Sequence, residues 1–222
     1  VLKVARLTLI LHAIALPAFG QNWSVGGGFG PFVFGRFAER TVVINTETGS
    51  AKTTSRLSAA TRAGLSADIE RNLTDRLAIR LDASWVQAPL RLKSSSGGTG
   101  VTIDSGQMNL TTFSAPLIIR LNPHGTFRFH VMGGPAYALY QVRRRTAAGS
   151  LPLFQGTRGR LGGVTGGGVG WWLSNRFGVE WQLADIVTSS PFRRQDIAAT
   201  QQGVHITRPQ NGYTTLGIRY RF

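Results

Sequence analysis

Between Trp23 and Phe222 the chain carries eight segments in which apolar residues alternate with small or polar ones, and no long segment with an apolar period of 3.6. They run over Trp23–Phe37, Ala59–Glu70, Arg76–Val86, Met108–Asn122, Thr126–Gln141, Leu161–Leu173, Arg176–Ile186 and Gly212–Phe222. A period of two places successive side chains on opposite faces of a strand, so the pattern predicts an all-β chain. Each segment has the roughly 9 to 11 residues with which a tilted strand crosses a bilayer, plus some overhang.

The connections sharpen this reading. Arg71-Asn72-Leu73-Thr74-Asp75, Asn122-Pro123-His124-Gly125 and Ser174-Asn175 are tight turns built from Asn, Asp, Ser, Pro and Gly. The other four connections, over residues 38–58, 87–107, 142–160 and 187–211, read as long loops rich in Gly, Ser, Thr and Arg. Short and long alternate throughout. A soluble sandwich has no reason to gather its tight turns at one end and its long loops at the other, whereas a transmembrane barrel does. The expected fold is an eight-stranded antiparallel up-and-down transmembrane β-barrel with both strand termini on the short-turn side.

Alternation also assigns the faces. One face carries Leu77, Ile79, Leu81, Phe113, Leu117, Ile119, Val179, Trp181, Leu183 and Ile218, suited to lipid. Trp23, Trp171, Phe177, Tyr220 and Phe222 are expected at the near interface of that face, and Trp85, Tyr137 and Tyr213 at the far one, because aromatic rings with a polar handle settle there. The opposite face carries Asp68, Glu70, Arg80, Asp82, Arg120, Arg128, Glu180, Arg219 and Arg221. Eight strands enclose only enough space for side chains, so these charges are expected to fill the lumen and to pair, Glu180 with Arg219 and Arg80 with Asp68 or Glu70.

Residues 1–20 read as a secretory signal peptide: Lys3 and Arg6, an apolar stretch from Leu7 to Leu16, Pro17, then Ala18 and Gly20, with cleavage expected before Gln21. A buried amphipathic helix would not explain cations at one end and small residues at the other. Residues 21–222 form the barrel domain. There is no cysteine, which excludes thiolate metal sites, cysteine nucleophiles and a lipoprotein anchor. Beyond the leader no run approaches the roughly 18 apolar residues of a spanning helix. The formal charge is +15, with 22 Arg and 3 Lys against 10 acids. Such an excess points to an anionic partner.

The last strand holds the most specific local signal. Thr215-Leu216-Gly217-Ile218-Arg219-Tyr220-Arg221-Phe222 resembles the bacterial outer-membrane β-signal, with Thr215, Gly217, Tyr220 and Phe222 at its defined positions. With the leader and the alternating connections, the chain resembles the small eight-stranded outer-membrane β-barrel proteins, the group that includes the transmembrane domain of OmpA and its OmpX- and OmpW-like relatives. The resemblance implies an outer-membrane location in a Gram-negative-type bacterium and insertion by the barrel-assembly machinery. No peptidoglycan-binding domain is expected after the last strand.

Two glycine clusters, Gly26-Gly27-Gly28-Phe29-Gly30 and Gly166-Gly167-Gly168-Val169-Gly170, carry Gly-x-Gly spacings. A nucleotide fold needs a helix directly after them, and strand-like residues follow instead, so they read as room for bending and for long lumen neighbours. Small barrels can also be lipid A deacylases or palmitoyltransferases. The deacylase pattern places Ser two residues after His, and His130-Val131-Met132-Gly133 departs from it, as do His124 and His205. His130 reads as a hydrogen-bonded lumen residue. No catalytic, metal or cofactor site is expected.

The function expected is that of a structural or surface-interaction protein, a monomer acting through four basic loops on lipopolysaccharide and other anionic glycans rather than on nucleic acid. Arg143, Arg144 and Arg145, expected just above the outer aromatic edge, are the candidate phosphate contacts, because a guanidinium fork binds phosphate in a bidentate way. A lipid A-modifying enzyme and a narrow porin on the same barrel are the alternatives.

Overall fold

The computed structural model describes residues 22–46, 49–96, 99–144, 154–196 and 204–222. Residues 1–20, where a leader is expected, and Arg145 lie outside them. Twelve strands are present: β1 (Trp23–Phe34), β2 (Arg36–Thr46), β3 (Gly49–Ala59), β4 (Arg62–Asn72), β5 (Leu77–Ser96), β6 (Thr99–Ser114), β7 (Leu117–Arg120), β8 (Phe127–Arg144), β9 (Gly156–Trp172), β10 (Phe177–Thr188), β11 (Val204–Ile206) and β12 (Gln210–Arg221). Around the lower barrel the order is β1, β4, β5, β7, β8, β9, β10 and β12, and β12 pairs back onto β1 from Ser24↔Arg221 to Phe34↔Asn211. The ring of eight is closed. Closure leaves no strand edge to satisfy within a membrane, the condition a spanning sheet must meet.

Three of the four strands beyond the ring of eight are interruptions rather than additions. β1 and β2 are one path broken at Gly35, β3 and β4 one path broken at residues 60–61, and β6 and β7 one path broken at Ala115-Pro116. Pro116 lacks the N–H that a ladder needs, and its carbonyl instead accepts from Arg80 N at 3.1 Å.

At the lower end the turns are made by side chains. Thr74 Oγ1 accepts from the N–H groups of Leu77 (3.0 Å) and Arg76 (3.2 Å), and Ser174 Oγ accepts in the same way from Phe177 (3.0 Å) and Arg176 (3.3 Å). Asn122 spans the third turn, its Oδ1 accepting from Phe129 N at 2.6 Å and its Nδ2 donating to Phe127 O at 2.5 Å. Gly125 in that turn has φ +126°, a value that L side chains rarely adopt.

The upper end differs from the sequence reading. The long connections over 38–58 and 87–107 are largely strand: β2 pairs β3 from Arg36↔Ser58 to Thr46↔Gly49, and β5 pairs β6 up to Ser96↔Thr99. Their Gly, Ser and Thr content suggested loops, yet Thr, Val and Ile at alternate positions suffice for a solvated ribbon. β3 also pairs β5, and β11 pairs β2, so the ladder continues well above the lower ring.

β5 shows why. Its outward residues are Leu77, Ile79, Leu81 and Trp85, then Gln87, Arg91 and Lys93; its inward residues are Arg80, Asp82 and Ser84, then Val86, Ala88 and Leu90. Both faces exchange character between residues 84 and 87 without a break in phase. Below that level the outside is apolar and the inside polar. Above it the strand is that of a soluble barrel, with an apolar core inside and polar residues outside. From Leu77 to Trp85 the strand rises about 27 Å at ~3.4 Å per residue. With a tilt of roughly 40° this gives an apolar band about 21 Å tall, close to the ~25 Å belt of such barrels.

Candidate functional site

The lower lumen is occupied by a charge network contributed by five strands. Arg80 on β5, only 1% exposed, donates to Glu70 Oε2 from Nη2 at 2.6 Å and from Nε at 2.8 Å, and through Nη1 to Glu180 Oε1 at 2.9 Å and Gln182 Oε1 at 2.8 Å. Arg219 on β12 donates to Glu180 Oε2 at 2.7 Å, Asp68 Oδ1 at 2.6 Å and Ser24 Oγ at 3.1 Å. Arg120 on β7 reaches Glu70 from below. Three guanidiniums thus interleave with the carboxylates of Asp68, Glu70 and Glu180, each cation touching one carboxylate or more. A buried charge is tolerated only with this degree of pairing.

Gly26 makes the arrangement possible. A Cβ there would stand 2.5 Å from Asp68 Oδ2 and 3.1 Å from Arg219 Nη2. In the second glycine cluster a Cβ on Gly168 would meet His130 Cε1 at 2.8 Å. The inward glycines of both clusters therefore lie beside large lumen side chains.

The remaining predicted lumen charges are placed differently from one another. Asp82 sits above the network, accepts a long bond from Ser114 Oγ at 3.5 Å and makes no ion pair among the described residues. Arg128 and Arg221 lie below it, over the indole of Trp172 at 4.8 and 4.4 Å. His130 is buried, but its Nε2 has no hydrogen-bond partner, so its reading as a satisfied residue is corrected. β8 directs the ring toward the glycine-lined wall of β9, which offers it no side-chain partner.

The upper lumen is an apolar plug that the sequence reading did not include. Phe32, Phe37, Leu57, Val86, Leu90, Met108, Leu110, Tyr140 and Ile186 are buried inside it. Phe192, from the connection after β10, folds in from above and packs edge-on to Phe37 at 5.6 Å. Ser190 Oγ donates to Phe37 O at 3.1 Å, and Arg160 and Arg158 hold Ser190 O and Pro191 O at 2.9 and 2.7 Å. Tyr213 belongs to this interior and not to the outer aromatic edge: it is 3% exposed and stacks on Phe32 at 5.0 Å. It shares the parity of Gly217 and Arg219, which point inward, rather than that of Leu216 and Ile218.

On the outside, Leu77, Ile79, Leu81, Phe113, Leu117, Ile119, Trp181, Leu183 and Ile218 are exposed, as are Trp171, Phe177, Tyr220, Trp85 and Tyr137, while Val179, Trp23 and Phe222 are half-buried. In the terminal motif Tyr220 packs edge-on to Phe222 at 5.2 Å, Thr215 is buried inward, and Gly217 approaches β1 so closely that a Cβ would lie 2.3 Å from Gly27 O. Gly217 is thus required for the seam that closes the ring.

Comparison with solved structures bears on this geometry. Over 91% of this chain and 96% of its own, the outer membrane protein OprG from Pseudomonas aeruginosa aligns with a TM-score of 0.57 at 12% identity. The outer membrane protease OmpT from Escherichia coli aligns at 0.51 and 12% identity, covering 92% of this chain and 98% of that one. The chain has the fold of an outer-membrane β-barrel. The outer membrane protein AlkL, solved in lipid bilayers, is similar to it at 0.51 and 14% identity, covering 91% and 90% of the two chains. No family model and no curated protein matches the sequence.

The cations assigned to loops stand mainly on the raised strands of the barrel. Arg143 and Arg144 end β8, and Arg143 is exposed; its position six residues beyond Tyr137 puts it about 20 Å further along the strand at ~3.3 Å per residue. That is well clear of the aromatic edge and corrects its placement just above it. Arg62, Arg91 and Lys93 instead line a notch of about 440 Å³ where β3 and β4 separate. Arg62 lies only three residues beyond the lipid-facing Leu65. Several cations are engaged: Arg158 clasps Asp196, Arg56 and Arg36 share Glu39, and Arg91 of the notch stands 3.6 Å from Asp104. Burial alone would raise the Asp196 carboxyl; the Arg158 guanidinium and the Arg193 N–H, 2.6 Å away, hold it below the usual aspartate range.

Proposed function

We propose that this chain resides in a bacterial outer membrane with a closed lumen and acts as a structural and surface-interaction protein through the basic strands that it raises above the membrane. The observation that carries the reading is the filling of the interior in two layers. A solute would have to part the Arg80–Glu70–Glu180–Arg219 network and then the Phe32–Phe37–Phe192 plug, each packed side chain against side chain. What is left free is the outer surface above the belt, where Lys52, Arg62, Lys93, Arg143 and Arg208 are exposed.

The partner proposed is the phosphate of lipopolysaccharide, with other anionic glycans as further ligands, engaged by a monomeric barrel after insertion by the barrel-assembly machinery. The Arg62–Arg91–Lys93 notch suits this better than Arg143 and Arg144, because it lies nearer the level at which lipid headgroups begin. Exposed charges act over about 10 Å at ~0.1 M salt, so height above the belt matters. The test compares Arg62→Gln/Arg91→Gln/Lys93→Gln and Arg143→Gln/Arg144→Gln/Arg145→Gln with the parent for retention on lipopolysaccharide and on heparin across a salt series. The expected result is a steep loss for the first triple variant and a smaller one for the second. Equal retention of all three proteins refutes the proposal. Stable single-channel steps in a planar bilayer would instead favour a porin, and an altered lipid A mass spectrum on expression would favour an enzyme.

A further inference from the structure

At the short-turn end, below the charge network, the barrel opens into a cavity of about 380 Å³ whose lining includes Asn72, Asp75, Arg120, His124, Arg128 and Arg221. It is polar, and its charge is unbalanced. Arg120 is committed to Glu70. Arg128 and Arg221 take part in no ion pair among the described residues: Arg128 donates only from Nε to Gly125 O at 3.2 Å, and the buried Nε of Arg221 has no partner. Both guanidiniums are nonetheless held in place, lying over the Trp172 indole at 4.8 and 4.4 Å. Cation–π stacking on a ring fixes the plane of a guanidinium and leaves its N–H edge free to donate.

Two like charges gathered over one ring repel each other, and the lining contains a single carboxylate, that of Asp75. No other carboxylate among the described residues of the lining pairs with either guanidinium, which leaves the mouth open to a group from outside them. It must be anionic and rich in acceptors, since the lining offers mainly donors: two guanidinium edges with the side chains of Asn72 and His124 beside them.

We infer that this mouth is a binding site for a phosphate group, independent of the basic surface at the other end of the barrel. A tetrahedral phosphate accepts bidentate bonds from Arg128 and Arg221 at once and offsets their mutual repulsion. The cavity exceeds a bare phosphate in size, so a small phosphate monoester also fits. The same chemistry is offered by a phospholipid headgroup of the inner leaflet.

The test uses the folded protein in zwitterionic micelles, titrated with inorganic phosphate while calorimetric heat and tryptophan fluorescence are followed. A second arm places it in phosphatidylcholine nanodiscs with and without phosphatidylglycerol and reads ³¹P line broadening. The wild type is expected to bind saturably, Arg128→Gln to weaken binding at least tenfold, and Lys52→Gln, on the raised strands, to leave it unchanged. Arg128→Lys, which keeps the charge but loses the fork, separates charge from geometry and is expected to fall between them. Binding in the micelle arm identifies a free phosphate or monoester as the ligand, and binding confined to the phosphatidylglycerol arm identifies a headgroup. Absence of saturable binding in both arms overturns the inference, as does an Arg128→Gln protein that shows the folded band on a cold gel and binds like wild type.

Discussion

Replacing Arg80 with Met tests the account of the lumen most directly. The side chain is enclosed, 1% exposed, and satisfies Glu70, Glu180 and Gln182 at 2.6 to 2.9 Å. Methionine fills much of the same volume with no charge. The network then changes from three cations and three carboxylates to two and three, with Glu70 left to Arg120 and Arg219 alone. Removing one partner of a buried pair typically costs about 3 to 5 kcal/mol, most of it the penalty of the charge left behind. The second substitution isolates that penalty. Arg80→Met/Glu70→Gln restores two against two, so the pair is expected to be less destabilised than the sum of the single variants by about 1 to 3 kcal/mol. Reversible urea unfolding in micelles, followed by tryptophan fluorescence, measures all four proteins of the cycle. An Arg80→Met variant within about 1 kcal/mol of the parent, or strict additivity of the two substitutions, would refute the view that these charges hold the lumen as one unit.

The other predictions address the belt, the plug and the upper clasp. Leu81→Arg places a charge on a residue that is 57% exposed near the middle of the apolar band, and is expected to cost roughly 2 to 4 kcal/mol in a bilayer unfolding titration. Phe192→Ala removes a buried ring from the top of the plug and is expected to cost about 3 to 5 kcal/mol. Because the charge network below is untouched, planar-bilayer recordings of that variant should still show no steps. The Arg158–Asp196 clasp contributes stability that is present above the unfolded aspartate value of about 3.9 and is lost as pH falls through the lower folded value. A titration of the Asp196 carboxyl carbon by NMR should therefore have its midpoint below that of a free aspartate, and Arg158→Gln should raise it; a midpoint at or above the ordinary value would contradict the clasp.

Much of this protein was written locally. The two-residue period of Leu77, Ile79 and Leu81 against Arg80 and Asp82 assigned both faces of the lower barrel, because a strand has no other way to present its side chains. The Thr74, Asn122 and Ser174 turns were equally legible, since the side chains that bridge them lie within a few residues of the groups they bond. Tyr213 could have been placed as well, by counting back from Arg219 in steps of two. The upper half was not legible in the same way. Its inward residues, Val86, Ala88 and Leu90, look in sequence like candidates for either face, and only closure of the ring decides that they meet Phe37 and Phe192 from distant strands. Likewise the polar ribbons of β2, β3, β5 and β6 resemble loops until their long-range ladder is seen, because the hydrogen bonds that make them strands come from partners elsewhere in the chain. The charge count pointed to an anionic partner and could not say where on the barrel it would be met. Which arginines are spent on internal carboxylates, and which remain free at the two ends, is set by the register that brings β5, β7, β10 and β12 around one lumen, and no local pattern encodes that register.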